Sequence, residues 1–216
     1  MWVAAACSLA VSLTPWNHIL LYPFTLFTTW IHECGHALTI VAVGGRVRAI
    51  TIMPDTSGLT QSLIPPGRVA RALVASAGYL GATVMGCVLM AATRLERWSR
   101  PILWCVGVFM ILTLVFWIRN AFGAGVVMAW AAALLVLAHR GSRTVSTFVL
   151  SLLAIQVALA SIYDIRVLFL LKGGHSDAQT MASLLFLPAW VWAALWMLAS
   201  ALMLAGTVWA TRIRRG

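Results

Sequence analysis

The sequence predicts an all-α polytopic membrane protein of six or seven transmembrane helices, with one short β-hairpin-like segment after the second helix. Three observations carry that prediction. The 216 residues are 62% hydrophobic and only 9% charged, far from the balance of a soluble domain. The apolar residues come in runs near the roughly 20 residues that cross a bilayer, parted by short polar breaks. One interval, Gly45 to Pro66, departs from that pattern and alternates with a two-residue period.

Met1 to Leu13 is apolar but short, so a short first span or a partly inserted helix is expected, ended by Thr14-Pro15. Asn17 to Val43 is the next helix, closed by Gly44-Gly45. Val47, Ala49, Thr51 and Met53 then alternate with Arg48, Ile50 and Ile52. Pro54 to Gly58 reads as a turn and Leu59 to Leu63 as a return strand, closed by Pro65-Pro66-Gly67. Val69 to Ala92 is a span in which Gly78, Ala82 and Gly86 form a ridge of small residues, a surface that lets another helix come close. Arg94 to Arg100 is a loop. Pro101 to Ile118 and Ala121 to Ala138 are spans parted by Arg119-Asn120, and Thr144 to Tyr163 is another. A mixed stretch, Asp164 to Ala182, precedes a last span from about Ser183 to Trp209, with a bend at Pro188. With no repeats or low-complexity tracts, residues 1–216 read as a single membrane-embedded domain.

The second helix carries His32-Glu33-Cys34-Gly35-His36, an H-E-x-x-H pattern within an apolar run. On a helix, positions i and i+4 lie about 40° apart around the axis and about 6 Å apart along it. The imidazoles of His32 and His36 can therefore meet at one metal ion. Glu33 projects beside them, where it can take a proton from an activated water. Zinc suits neutral imidazole nitrogen. A carboxylate at membrane depth costs roughly 2.5–3.5 kcal/mol on insertion scales, so it is expected to have a partner and a use. The plainer alternative, a polar helix face packed on other spans, leaves Glu33 with no cation nearer in sequence than Arg46. Cys7, Cys34, Cys87 and Cys105 sit in apolar stretches without C-x-x-C and read as small buried hydrophobes.

Two histidines leave a zinc site one protein ligand short. His18 lies about four turns before His32, too far to join it, and reads as interfacial. His36 faces the Gly45–Pro66 side, and an even number of spans returns the chain to that side at Asp164–Thr180. Glu96 and His139 fall on the other side, and Asp55 sits in an exposed turn. Asp164, His175 and Asp177 remain. Asp177 is preferred, because Gly173-Gly174 can break the backbone before it and Ser176-Asp177 opens the last helical stretch. Its plainer role would be as the helix cap alone. Asp⁻, two neutral histidines and hydroxide would leave a zinc site nearly neutral, as a dry environment requires.

The net charge of +10 comes from 15 Lys and Arg against five acids, scattered in twos and threes between apolar runs. That suits loops beside anionic lipid and gives no nucleic-acid interface. The basic residues divide almost evenly between the two sides of the membrane, so charge bias sets no orientation.

These residues resemble the site-2 protease family of intramembrane zinc metalloproteases, and more closely its small bacterial branch without a PDZ domain. The likeness rests on His32-Glu33-Cys34-Gly35-His36 within a span and on Gly44-Gly45-Arg46-Val47 before a strand. Ala77-Gly78-Tyr79-Leu80, Ser176-Asp177-Ala178 and Arg119-Asn120 add to it. The sequence departs from the better-known members in having Ser-Asp-Ala for Leu-Asp-Gly and Ala-Gly-Tyr for Ala-Gly-Pro. The resemblance implies a multi-pass protein of the bacterial plasma membrane with one Zn²⁺ held by His32, His36 and Asp177. It also implies Glu33 as general base and a site toward the cytoplasmic face. The expected reaction is hydrolysis of a membrane protein substrate. Asn120 is a candidate oxyanion donor, its plainer role being an interhelical hydrogen bond. Val47–Met53 is expected to receive the unwound substrate by strand addition. Two other classes stand beside this one. A scaffold with a structural zinc would bind metal without cleavage. A transporter should line several spans with ionisable groups, whereas here one span carries them.

Overall fold

The computed structural model describes residues 2–170 and 176–213. The elements run α1 (Trp2–Ser12), α2 (Asn17–Ala42), β1 (Arg46–Ile52), β2 (Gly58–Leu63), α3 (Arg68–Ala92), α4 (Ser99–Phe116), α5 (Ala121–Arg140), α6 (Arg143–Leu170), α7 (Asp177–Leu184) and α8 (Ala189–Ile213). A 3₁₀ turn at Glu96–Trp98 leads into α4. Among the described residues five helices are long and apolar enough to cross a membrane: α3, α4, α5, α6 and α8. The protein is therefore polytopic and helical, with one small sheet. The motif helix α2 has 26 residues, or roughly 39 Å. Its His, Glu and Thr residues dilute the apolar run, so it is a sixth crossing by length and not by composition. At 11 residues α1 reaches only about 16 Å, short of a hydrocarbon core of about 30 Å. It is fastened to the bundle instead, Gln156 Nε2 donating to Ser8 Oγ at 3.1 Å.

The Gly45–Pro66 interval forms the expected hairpin. β1 and β2 pair antiparallel, with a bulge between Val47 and Ala49. Met53 N–H donates to Ser57 C=O across the turn at 2.8 Å, and Thr56 takes the left-handed conformation there. Ile50 and Ile52 are fully buried and join the main core, which also takes Phe27, Trp30 and Ile31 from α2 and residues of α3 to α6. The expectation that Val47–Met53 offers an open edge as the receiving strand is corrected by the structure. Ile50 N–H donates to Trp117 C=O at 2.7 Å and Arg119 N–H to Ile50 C=O at 3.1 Å, so the chain between α4 and α5 pairs with β1. Asn120 extends the same ladder through its side chain. Ile52 N–H donates to its Oδ1 at 3.1 Å, and its Nδ2 donates to Ile52 C=O at 2.7 Å. With β1 paired on both sides, the open edge among the described residues is that of β2.

Close approach of α2 and α3 sets where the α2 histidines stand. Gly35 lies against the Ala77 carbonyl, and a Cβ at position 35 would overlap it. Behind α2, Trp30 Nε1 donates to Thr113 Oγ1 of α4 at 3.0 Å, which fixes the helix from the opposite face. A second core holds α7: Ala178 and Met181 pack with Ala75 and Tyr79 of α3, Ile165 of α6, and Ala193 and Trp196 of α8. The last span, expected from about Ser183 with a bend at Pro188, is interrupted there: α7 ends at Leu184 and the span itself is α8. Leu185 is extended, and α8 starts at Ala189 with Val191 N–H donating to Pro188 C=O at 3.0 Å. Proline disfavours helix at the residue before it and is accepted at a helix start, so the break falls where those two preferences meet.

Candidate metal centre

The i, i+4 spacing on α2 brings the two imidazoles together as the helix geometry requires. His32 Nε2 and His36 Nε2 are 3.0 Å apart, with the rings edge to face. Asp177 Oδ2 lies 3.2 Å from the first nitrogen and 3.3 Å from the second. Three potential ligand atoms, one from each residue, fall within 4.8 Å of one another. His36 Nδ1 is 2.7 Å from the buried Val74 carbonyl of α3, to which it donates. That bond fixes the tautomer, because in a neutral imidazole the other nitrogen is then a lone pair. His36 Nε2 and the Asp177 carboxylate thus present lone pairs to the point that His32 Nε2 also faces. Ligands at about 2 Å from a common zinc would be separated by roughly 3–4 Å, so the residues present fit that ion.

Each donor has a separate support. Tyr79 sets its ring edge to face against His32, with centroids 4.6 Å apart, and stacks on Trp196 behind. Asp177 is the first residue of α7 but not its cap. Ser176 takes that role, its Oγ accepting from Gln179 N–H at 3.2 Å. The Asp177 carboxylate is thereby free to turn toward the histidines, while Ala178 and Met181 anchor its helix.

Glu33 is buried, and its Oε2 accepts a 2.6 Å hydrogen bond from Thr60 Oγ1 of β2. Thr29 Oγ1 donates to the Thr56 carbonyl at 2.8 Å, which ties the hairpin turn to α2 one helical turn earlier. Thr60 had no motif to mark it. The only signal was strand alternation, which turns Gly58, Thr60 and Ser62 to the less exposed face. His32, Glu33, His36 and Asp177 line one cavity of about 570 Å³, with β2 as one wall, the start of α3 as another and Ser176–Thr180 at the rim. The three donors and the carboxylate therefore face one shared open space.

The remaining candidates lie elsewhere. Asn120 has both ends of its amide bonded to Ile52 and does not line the cavity, so an oxyanion role for it is withdrawn. Asp55 serves its own turn, with the Ser57 hydroxyl at 2.6 Å and amide at 3.0 Å both on Oδ1. Those bonds hold its carboxyl below the ordinary carboxylate range. His18 and His139 are exposed. Cys34 is buried in the main core on another face of α2. His175 and the side chain of Asp164 lie outside the described residues.

Gly78 is the residue that motif reading undervalued. A Cβ there would run into His32 Nε2 and Cε1 and His36 Nε2. Only hydrogen leaves the space in front of these nitrogens open, so the small-residue ridge serves the donors as well as helix packing. Gly78→Ala should therefore weaken zinc binding by about 10–100-fold, the range seen when groups just outside a ligand set are altered. Zinc titration of the purified protein reads this. Gly125→Ala, at a position with nothing within 4 Å, is the control that should leave binding unchanged.

A family profile described as Peptidase M50B-like covers residues 4–207. No curated protein and no solved structure matches the chain.

Proposed function

Since the chain belongs to the Peptidase M50B-like family, within the site-2 protease group, we propose that it is a zinc-dependent intramembrane endopeptidase. In this reading residues 1–216 act as a single membrane-embedded metalloprotease domain of the bacterial plasma membrane. Its substrates are membrane-spanning or membrane-proximal proteins. One observation supports this most: two imidazole nitrogens and a carboxylate oxygen converge within 3.0–3.3 Å next to a buried glutamate and an open cavity.

His32, His36 and Asp177 would hold one Zn²⁺. When bound, zinc would supply Lewis acidity, lowering the pKa of an adjacent water toward about 7 and polarising the scissile carbonyl. Glu33 takes the proton of the attacking water as its oxygen bonds to the carbonyl carbon. It then gives that proton to the amine nitrogen as the C–N bond breaks. Thr60 holds Oε2, so the lone pairs of Oε1, which accept no hydrogen bond from a described residue, are free for that transfer. A helical substrate hides its carbonyls in its own hydrogen bonds, so it must unwind. The open edge of β2, which lines the cavity at Gly58, Leu59, Thr60 and Ser62, offers replacement backbone partners.

A structural zinc would be closed by four protein ligands. Three donors facing a cavity favour catalysis over the scaffold alternative. The test is metal dependence in the purified, liposome-reconstituted protein, with a tagged single-span protein as probe. Cleavage should stop when a chelator removes the metal and return on adding zinc. Undiminished cleavage by protein shown to be metal-free would refute the proposal.

A further inference from the structure

The cavity beside Glu33 has a charged wall that the proposed chemistry does not use. Among its described lining residues Arg71 is the one permanent cation. The two lining acids are engaged elsewhere, Asp177 Oδ2 between the histidines and Glu33 Oε2 with Thr60. Arg71 is exposed and lies in no ion pair with a described acid. In a chain with 15 basic residues against five acids, an unpaired arginine is ordinary, and its position is what sets this one apart. The other cations near the hairpin, Arg46, Arg48 and Arg68, do not line this cavity.

Position on α3 gives the reach. Arg71, Val74, Ala75, Gly78 and Tyr79 follow at helical spacing along one face, and all but Gly78 line the cavity. Gly78 abuts the ring nitrogens and Val74 binds His36, so Arg71 stands one turn further from the donors than Val74. Seven residues of helix from Gly78 to Arg71 is about 10 Å. An extended chain rises about 3.3 Å per residue, so that distance equals roughly three substrate residues. Ser62 and Ile64, at the end of β2, line the same cavity and mark the path of such a chain.

We infer that Arg71 selects substrates by pairing with an acidic side chain about three residues to one side of the scissile bond. The guanidinium fork matches a carboxylate in two parallel hydrogen bonds. The inference rests on the peptidase reading and adds a preference to it. In the substrate, the acid must sit outside the hydrocarbon, on the segment just after the unwound part of the span. This makes the selected sequence a membrane-proximal acidic residue and not a deep one.

The probe is a library of tagged single-span proteins that differ by Asp, Asn or Lys at each position from five before to five after the mapped cleavage bond. Wild type reconstituted in neutral phosphatidylcholine liposomes should cleave the Asp member about fivefold faster than the Lys member at one position near the third, and show no such ratio at the others. Arg71→Gln should flatten that ratio and Arg71→Glu should invert it. The ratio is taken within one enzyme, so a general loss of activity or of folded protein cancels. A ratio unchanged in both variants overturns the inference, as does an equal loss on every library member, which would mark Arg71 as structural. Glu33→Gln on the same library separates the two claims. If it cleaves like wild type, the peptidase reading falls and the inference with it. If it is silent while Arg71→Glu keeps the wild-type ratio, only the role of Arg71 is lost.

Discussion

Glu33→Gln should keep its zinc and lose cleavage by about 10²–10⁴-fold, the usual contribution of a positioned general base. The change removes one charge and almost no volume. Glu33 is not among the three converging donors, so the metal has no reason to leave. The Thr60 hydroxyl can donate to the amide oxygen as it does to Oε2, so the hairpin keeps its contact with α2. What disappears is the acceptor for the water's proton. Zinc content and cleavage of the single-span probe, measured on the same preparation, check this. Full cleavage with full metal would mean that the cleavage does not arise at this site, and the peptidase reading would fall. Parallel loss of metal and cleavage would instead mean that the carboxylate helps hold the ion.

Asp177→Asn should have the opposite signature, with metal lost first and activity following. The amide keeps the shape and leaves the Ser176 cap and the Ala178 and Met181 anchors of α7 intact. It replaces an anionic ligand with a neutral one, leaving a dication facing two neutral imidazoles in a partly buried site. Zinc affinity should fall by more than the roughly 100-fold expected for a supporting residue. Competitive titration against a chelating dye gives the affinity. Asp164→Asn and His175→Ala, at the two alternatives left open by sequence, should bind zinc like wild type. Retention of wild-type affinity by Asp177→Asn, with loss in either of the others, would move the third ligand.

The candidate site was legible in part because its chemistry is local. His32, Glu33 and His36 sit within five residues, and a helix converts that spacing into convergence without help from the rest of the chain. Asp177 was reachable by a cruder rule, the even number of crossings between two segments, plus the turn chemistry of Gly173-Gly174 and Ser176. Which of Asp164, His175 and Asp177 arrives is a matter of α7 packing on α3 and α8, and no local pattern carries that. The place of Asn120 is hidden from the sequence for the same reason. A polar residue between two apolar runs looks available until the strand edge 68 positions earlier is seen to take both ends of its amide.

Read without coordinates, the chain already specifies a membrane-embedded helical protein, a hairpin interrupting it and a helix able to offer two imidazoles and a carboxylate. These follow from hydropathy, two- and 3.6-residue periods and turn residues, all set by neighbours along the chain. It took the packed fold to establish that β2 and not β1 keeps an open edge. The same holds for Thr60 orienting Glu33 and for Gly78 having to lack a side chain. Those outcomes depend on which backbones can approach closely and which polar groups then find partners. Both are properties of packing between segments far apart in sequence.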